Sequence, residues 1–163
     1  MGDTTGRWGF AEPGPLRDTL TALALTGTKT TTASLAIEYE IEGAALAEVG
    51  QRDLLVDSDD RPVAVVETES IRVVRLADVD DRHAIDEGEG YADAAAFRAS
   101  HEAYWTESGV VEAIRAHLGD PAWSITDDAM VVLERFRIVE RLDGASPRQP
   151  PRSPGAGRAA PAR

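Results

Sequence analysis

Apolar positions along the chain first recur with the period of a helix. In "PLRDTLTALALTG", residues 15–27, Leu16, Leu20 and Leu23 stand at i, i+4 and i+7, on one helical face. Pro15 suits the first turn of such a helix, and Gly27 suits its C-terminal cap. The pattern then breaks into "TGTKTTTASL", whose β-branched threonines favour extended chain. "SLAIEYEIEG" predicts a short helix. "RDLLVD" and "RPVAVVETESIRVVRL" predict two strands joined by a turn at "SDD". "DVDDRHAIDEGEG" reads as a short helix or loop. "YADAAAFRASHEAYWTE" and "VVEAIRAHLG" predict helices, the first with Phe97, His101 and Tyr104 on one face. "MVVLERFRIVERL" predicts a closing strand. Helices embedded among strands without a βαβ rhythm favour an α+β fold over a doubly wound sheet.

Composition changes the picture at the C-terminus. Residues 144–163, "GASPRQPPRSPGAGRAAPAR", hold five Pro, three Gly and almost no large apolar side chain. Such a segment cannot bury enough surface to offset its ordering entropy, so it is expected to be a disordered Pro/Arg-rich tail on a domain of residues 1–143. The formal net charge is −12; the tail carries four Arg and no acid, which leaves residues 1–143 at −16. A body this acidic repels long nucleic acid unless it has a local basic patch, while a nucleoside-sized ligand remains admissible. No DNA partner is expected. The arginines that a basic track would need (Arg72, Arg75, Arg98, Arg115, Arg135 and Arg137) are scattered along the chain.

There is no cysteine, which excludes disulfides, thiolate zinc sites and cysteine nucleophiles. His83, His101 and His117 show no metal-ligand spacing, so neither a metal nor another cofactor is expected. No apolar run is long enough to span a membrane, and the first residues lack the charged-then-apolar pattern of a secretory signal. The expectation is a cytoplasmic protein with no membrane partner.

Candidate chemistry centres on Lys29, the only lysine in the chain. A P-loop is excluded, because Thr28 separates Gly27 from Lys29 and position 22 is Ala. In an extended Thr30–Leu35 segment, Thr30, Thr32 and Ser34 share one face. Lys29 reaches the Thr32 hydroxyl only if the backbone bends at the junction of helix and strand. A desolvated lysine has a lowered pKa and can act as a base, which arginine cannot. A hydroxyl beside it then becomes a nucleophile. Elsewhere, Glu67 shares strand parity with Val63, Val65, Ile71 and Val73, so it either reaches out at a rim or lines a pocket. His101 either packs in the core or faces a site. Trp8, Tyr39, Tyr91 and Trp105 are side chains that fill a core or stack on a base.

Several blocks in order carry a resemblance. "GTKTTT" after a Leu-rich helix resembles the G-x-K-T-x-T signature of ASCH-domain proteins. "WGF" at 8–10, "ASLAIEYEIEG" at 33–43, "GEGY" at 88–91 and "VVLERFRIVE" at 131–140 extend it over residues 8–140. The resemblance implies a PUA-like fold, a small mixed β-barrel with flanking helices. It also implies an association with RNA. Some small members of that family are amidohydrolases of N4-acetylcytidine, and others are ribonucleases or RNA-binding modules. In the amidohydrolases the motif Lys, its last Thr and a later Glu are catalytic. Carried over, these positions are Lys29, Thr32 and Glu89, with Glu87 as the second choice for the acid. Lys29 would be held neutral, take the proton of Thr32, and rely on Glu89 for orientation or for protonating the leaving amine. Thr30, Ser34, Glu67, Glu87 and His101 are the candidates for substrate contact. The partner implied is a nucleoside or a small RNA ligand. The "WGF" and "LERFRIVE" blocks resemble a branch of the family other than the small hydrolases.

Overall fold

The computed structural model describes Thr4 and residues 6–142 of the chain. The expected tail and the end of the expected domain at residue 143 therefore lie outside the described residues. The elements follow in the order β1 (Gly6–Trp8), α1 (Pro15–Leu25), β2 (Thr31–Leu35), α2 (Ala36–Glu42), β3 (Arg52–Val56), β4 (Pro62–Arg75), a 3-10 turn (Leu76–Asp78), α3 (Asp81–Asp86), α4 (Ala94–Glu107), α5 (Val110–Leu118) and β5 (Met130–Arg141). The fold is α+β, as expected. No helix among the described residues is long and apolar enough to cross a membrane.

The strands form one sheet in the order β1-β3-β4-β5-β2. Only β1 and β3 run parallel; every other ladder is antiparallel. The sheet stays open, which corrects the expected barrel: β1 and β2 are its two ends. The physical reason is the short end strand β1, whose three residues pair with β3 and offer too little edge to close onto β2. At the start of β2 the Thr30 amide donates to Asp86 O and the Thr31 hydroxyl to His83 O. These two bonds anchor α3 to the start of β2.

Two apolar clusters pack against this sheet. Ala33, Leu35, Val131 and Leu133 meet Phe97, Trp105 and Ile114. Phe136, Val66 and Leu55 meet Trp8, Phe10 and Leu20. Leu133 and Phe136 differ in parity along β5, so the clusters lie on opposite faces. Tyr104 packs against both. The four aromatics Trp8, Tyr39, Tyr91 and Trp105 are all buried.

Local chemistry explains most boundaries. α1 starts at Pro15 and ends at Leu25 with Thr26 as its cap, after which Gly27 takes φ +78°. Thr28 N and Lys29 N both donate to Leu23 O, which turns the chain back beneath the helix end. α3 is capped by Asp80, whose carboxylate accepts from His83 N at 2.7 Å, and α4 by Asp93, which accepts from Ala96 N at 2.8 Å. β4 carries one residue more than β5 at Glu69, between the pairs Thr68–Phe136 and Ser70–Arg135.

Candidate functional site

The bend needed after α1 is present, and it drives Lys29 into the interior. The residue is 1% exposed. Its Nζ donates to Glu89 Oε2 at 2.8 Å, to Glu87 Oε2 at 3.4 Å and to the Glu87 carbonyl at 3.4 Å. It also lies 5.4 Å from the centre of the Phe10 ring. Phe10 is held in turn by Arg17, whose buried guanidinium donates to Phe10 O and Ala11 O. Phe10 of the "WGF" block thus lies against the lysine.

The two acids come from the turn after α3, and Gly88 between them makes the approach possible. It has φ +68°, and a Cβ there would stand 2.3 Å from Thr28 O. Both Glu87 and Glu89 therefore reach Lys29, and the choice between them dissolves: each side chain is 0% exposed. Glu87 has two further neighbours. His83 Nε2 is 3.3 Å from its Oε1, and His101 Nε2 is 3.5 Å from its Oε2.

The electrostatics differ from the expected neutral lysine. Burial works against the Lys29 charge, but Glu87 and Glu89 outweigh it and hold the amine above its ordinary range. In Glu87, burial is likewise outweighed, first by Lys29 and then by His101 and the His83 hydrogen bond, so its carboxyl stays well below the usual range. In Glu89, burial and the Glu87 charge outweigh Lys29, and its carboxyl is raised to about 8. At neutral pH the cluster is an ammonium, one carboxylate and one carboxylic acid. The reason is elementary: a single cation cannot neutralise two buried carboxylates.

This assignment carries a pH-dependent stability. The ordinary value of Glu89 is 4.5. From there up to about 8 the unfolded chain ionises this carboxyl while the fold keeps it protonated. Its contribution to stability therefore falls as pH rises through that window and levels off above it. Glu89→Gln keeps a neutral hydrogen-bonding group and removes the titration. Its melting temperature, relative to wild type, is expected to climb between about pH 5 and pH 9. A constant offset across that range would mean that Glu89 is ionised throughout in the fold.

Thr32 is buried, and its Oγ1 has no hydrogen-bond partner among the described residues. It is not one of the partners of Lys29 Nζ. Glu89 Oε1 is also buried and unpartnered. The other hydroxyls are engaged locally: Thr30 Oγ1 donates to Asp86 O, and Ser34 Oγ to Tyr39 OH. Glu67 is not part of this cluster. It bridges its cross-strand neighbours Arg52, at 2.8 Å, and Arg137, at 2.7 Å, and so takes the rim position rather than the pocket. His101 is fully buried and touches Glu87, which places it inside the cluster.

His83 went unseen in the sequence, although H-x-x-x-E from His83 to Glu87 was a readable i, i+4 signal on a short helix. Phe10 and Arg17 had no comparable local signal, because their roles come from the tertiary approach of the first loop.

A cavity of about 390 Å³ opens between the end of α1 and β5; of the cluster only Lys29 is among its walls, and Thr32, Glu87, Glu89 and His101 are not. Lys29, Thr30, Glu69, Phe136, Arg135 and Arg137 are among its walls. Each arginine considered for a basic track has an acid partner: Arg72 with Asp80, Arg75 with Asp128, Arg98 with Glu102, Arg115 with Glu112, Arg135 with Asp86 and Arg137 with Glu67. Among the described residues, no group of three or more His, Cys, Asp or Glu is arranged to hold a metal ion.

A family model described as ASCH domain matches residues 6–140. The fold is similar to the crystal structure of an ASCH domain from Lactobacillus crispatus JV V101, at 22% identity and a TM-score of 0.70, covering 85% of this chain and 81% of that one. It is also similar to the crystal structure of a protein from Enterococcus faecalis V583 described under the family DUF984, at 22% identity and a TM-score of 0.60, covering 84% and 77% of the two chains. At that identity the likeness establishes the fold alone. No curated protein matches the chain.

Proposed function

The chain belongs to the ASCH-domain family, and from that premise we propose that it hydrolyses the exocyclic amide of a modified nucleoside, of the N4-acetylcytidine type. The observation that carries this reading is the buried Lys29 in hydrogen-bond contact with both Glu87 and Glu89, on the segment that carries the buried and unpartnered Thr32 hydroxyl. A cavity of about 390 Å³ beside Lys29 is of a size that takes a small ligand, and the acidic body favours a nucleoside over extended RNA.

The proton inventory supports a two-stage reaction. Thr32 Oγ1 attacks the acetyl carbonyl and forms the C–O bond. Lys29 is already an ammonium, so it accepts the Thr32 proton only while passing one of its own to Glu87. This relay starts when the substrate amide nitrogen engages Glu89 and frees Nζ to turn toward Thr32. The C–N bond then breaks, and Glu89 delivers its proton to the leaving amine. In the second stage water attacks the acetyl-threonine and gives its proton to Glu89. Thr32 recovers its own proton from Glu87 through Lys29, and acetic acid leaves.

The test is release of cytidine and acetate from N4-acetylcytidine by the purified protein. Thr32→Val is expected to lower turnover by at least roughly 10²-fold. It is also expected to leave the melting temperature unchanged or raised, because it removes a buried hydroxyl that has no partner. Absence of hydrolysis by the wild type would sink the reading. Normal turnover by Thr32→Val would sink the nucleophile.

A second reading, a non-catalytic RNA- or nucleotide-binding module, is favoured by Arg135 and Arg137 at the cavity wall. Its signature would be binding without turnover and a steep loss of affinity with salt.

A further inference from the structure

Glu87 is a poor place for a proton. It is ringed by Lys29, His83 and His101: Lys29 and the His83 hydrogen bond favour its ionised form, and His101 does so once it is charged. A relay that ended there would be uphill. Beside it stands a better acceptor. His101 Nδ1 lies 2.9 Å from the backbone carbonyl of Phe97, and a carbonyl only accepts, so Nδ1 carries the hydrogen. The Nε2 of that tautomer is a bare lone pair. It is fully buried, has no hydrogen-bond partner, and faces Glu87 Oε2 across 3.5 Å. Two lone pairs so placed repel until a proton stands between them. The ring cannot rotate away, because it stacks on Phe97 with centroids 3.9 Å apart and is flanked by Trp105 at 5.3 Å and Tyr91 at 5.8 Å.

We propose that His101 is the terminal proton acceptor of the cluster: the proton leaving the nucleophile passes through Lys29 and Glu87 and rests on His101 Nε2 until the second stage returns it. This deepens the hydrolase reading and rests on it for the source of the proton, whereas the tautomer and the link to Glu87 stand on geometry alone. The step balances. Glu87 takes a proton from Lys29 and passes that same proton to Nε2, so the carboxylate is restored, the ring becomes imidazolium, and the cluster as a whole gains the proton that Thr32 lost. His101 touches no substrate; it is a positioning residue acting through Glu87.

The groups that face the ring set its titration. Burial lowers the affinity of His101 for a proton, Glu87 opposes that, and Lys29 and His83 add to the lowering; Tyr91, close to the ring, has its own phenol pushed up by burial and by Glu89. His101 is therefore neutral in the resting protein at pH 7 and charges at a pH below its ordinary range.

Two measurements test the proposal. Long-range proton–nitrogen NMR of the histidine-labelled wild-type protein, repeated on Glu87→Gln, reads the ring without any turnover. The expected spectrum shows His101 as the Nδ1–H tautomer at pH 7, with a pKa that falls in Glu87→Gln because the carboxylate favouring the imidazolium is gone. An Nε2–H tautomer, or a pKa indifferent to Glu87→Gln, overturns the proposal. The second measurement is the pH profile of hydrolysis. Wild type is expected to lose kcat on the acid side as His101 charges. His101→Gln is expected to lower kcat by roughly 10²-fold with little change in KM and to abolish that acid limb. A His101→Gln enzyme that keeps the limb overturns the proposal. Should that variant not fold, the NMR measurement on the wild type decides. A wild type that hydrolyses nothing sinks the hydrolase reading, and the tautomer and its response to Glu87 still decide what His101 is.

Discussion

Lys29→Met is expected to destabilise the fold by about 3–5 kcal/mol, the cost typical of removing one partner from a buried ionic cluster. Methionine has a similar unbranched stem, so the loss reports the charge more than the packing. Without the ammonium, Glu87 and Glu89 face each other at 0% side-chain exposure with no cation between them. Their protonated forms become the stable ones. The deficit relative to wild type should then grow as pH rises, since wild-type Glu87 contributes stability above its ordinary value while the same carboxyl in the variant must stay protonated or be buried charged. Urea unfolding at about pH 5 and about pH 8 measures both parts. A variant as stable as wild type at both values would show that the two acids do not depend on Lys29. Lys29→Arg keeps the charge but is not a mild change. At 1% exposure the larger guanidinium has no room to be accommodated without displacing Phe10 or the acidic turn.

The parts of this site that were readable in the sequence are those carried by local chemistry. Gly27 announced the end of α1, and Lys29, as the only lysine, announced that an amine mattered there. Two acids four and two residues before Tyr91 announced a partner. Alternation and i, i+4 spacing placed β3, β4, β5 and the helices within a few residues. β1 was invisible because "GRW" is three residues long and has no period; only its parallel pairing with β3 makes it a strand. The open sheet was equally invisible, since it depends on how short the end strand β1 is and on which strand it pairs with. The protonation state of Lys29 was misjudged for the same kind of reason. A lone buried lysine loses its proton, but a lysine between two buried carboxylates keeps it, and sequence spacing does not reveal that both acids arrive. For Glu67 the sequence left rim and pocket both open, because strand parity says which face a side chain takes, not that Arg52 and Arg137 stand directly opposite on both neighbouring strands.

Gly88→Ala is expected to be the most damaging single-methyl change in the site. The added Cβ would stand 2.3 Å from Thr28 O, 2.6 Å from Thr28 C and 2.8 Å from Lys29 N, all backbone atoms. That backbone cannot give way cheaply. Thr28 N and Lys29 N are both tied to Leu23 O, and Thr30 N to Asp86 O. The turn carrying the acids must therefore lift, and the 2.8 Å contact between Glu89 and Lys29 opens with it. Positive φ adds its own cost, since a side chain at +68° is strained whatever the space around it. Together these should destabilise the protein by about 3 kcal/mol or more. Gly90→Ala is the control. Its φ of +95° carries the same kind of backbone penalty, but nothing lies within 4 Å of its Cβ. Its loss should be limited to about 1–2 kcal/mol. Chemical unfolding of the two variants separates strain from collision, and turnover separates a loosened fold from a displaced acid pair. Equal losses for Gly88→Ala and Gly90→Ala would mean that the turn yields freely, and that the close approach of Gly88 to the Lys29 backbone is not what seats Glu87 and Glu89 on the lysine.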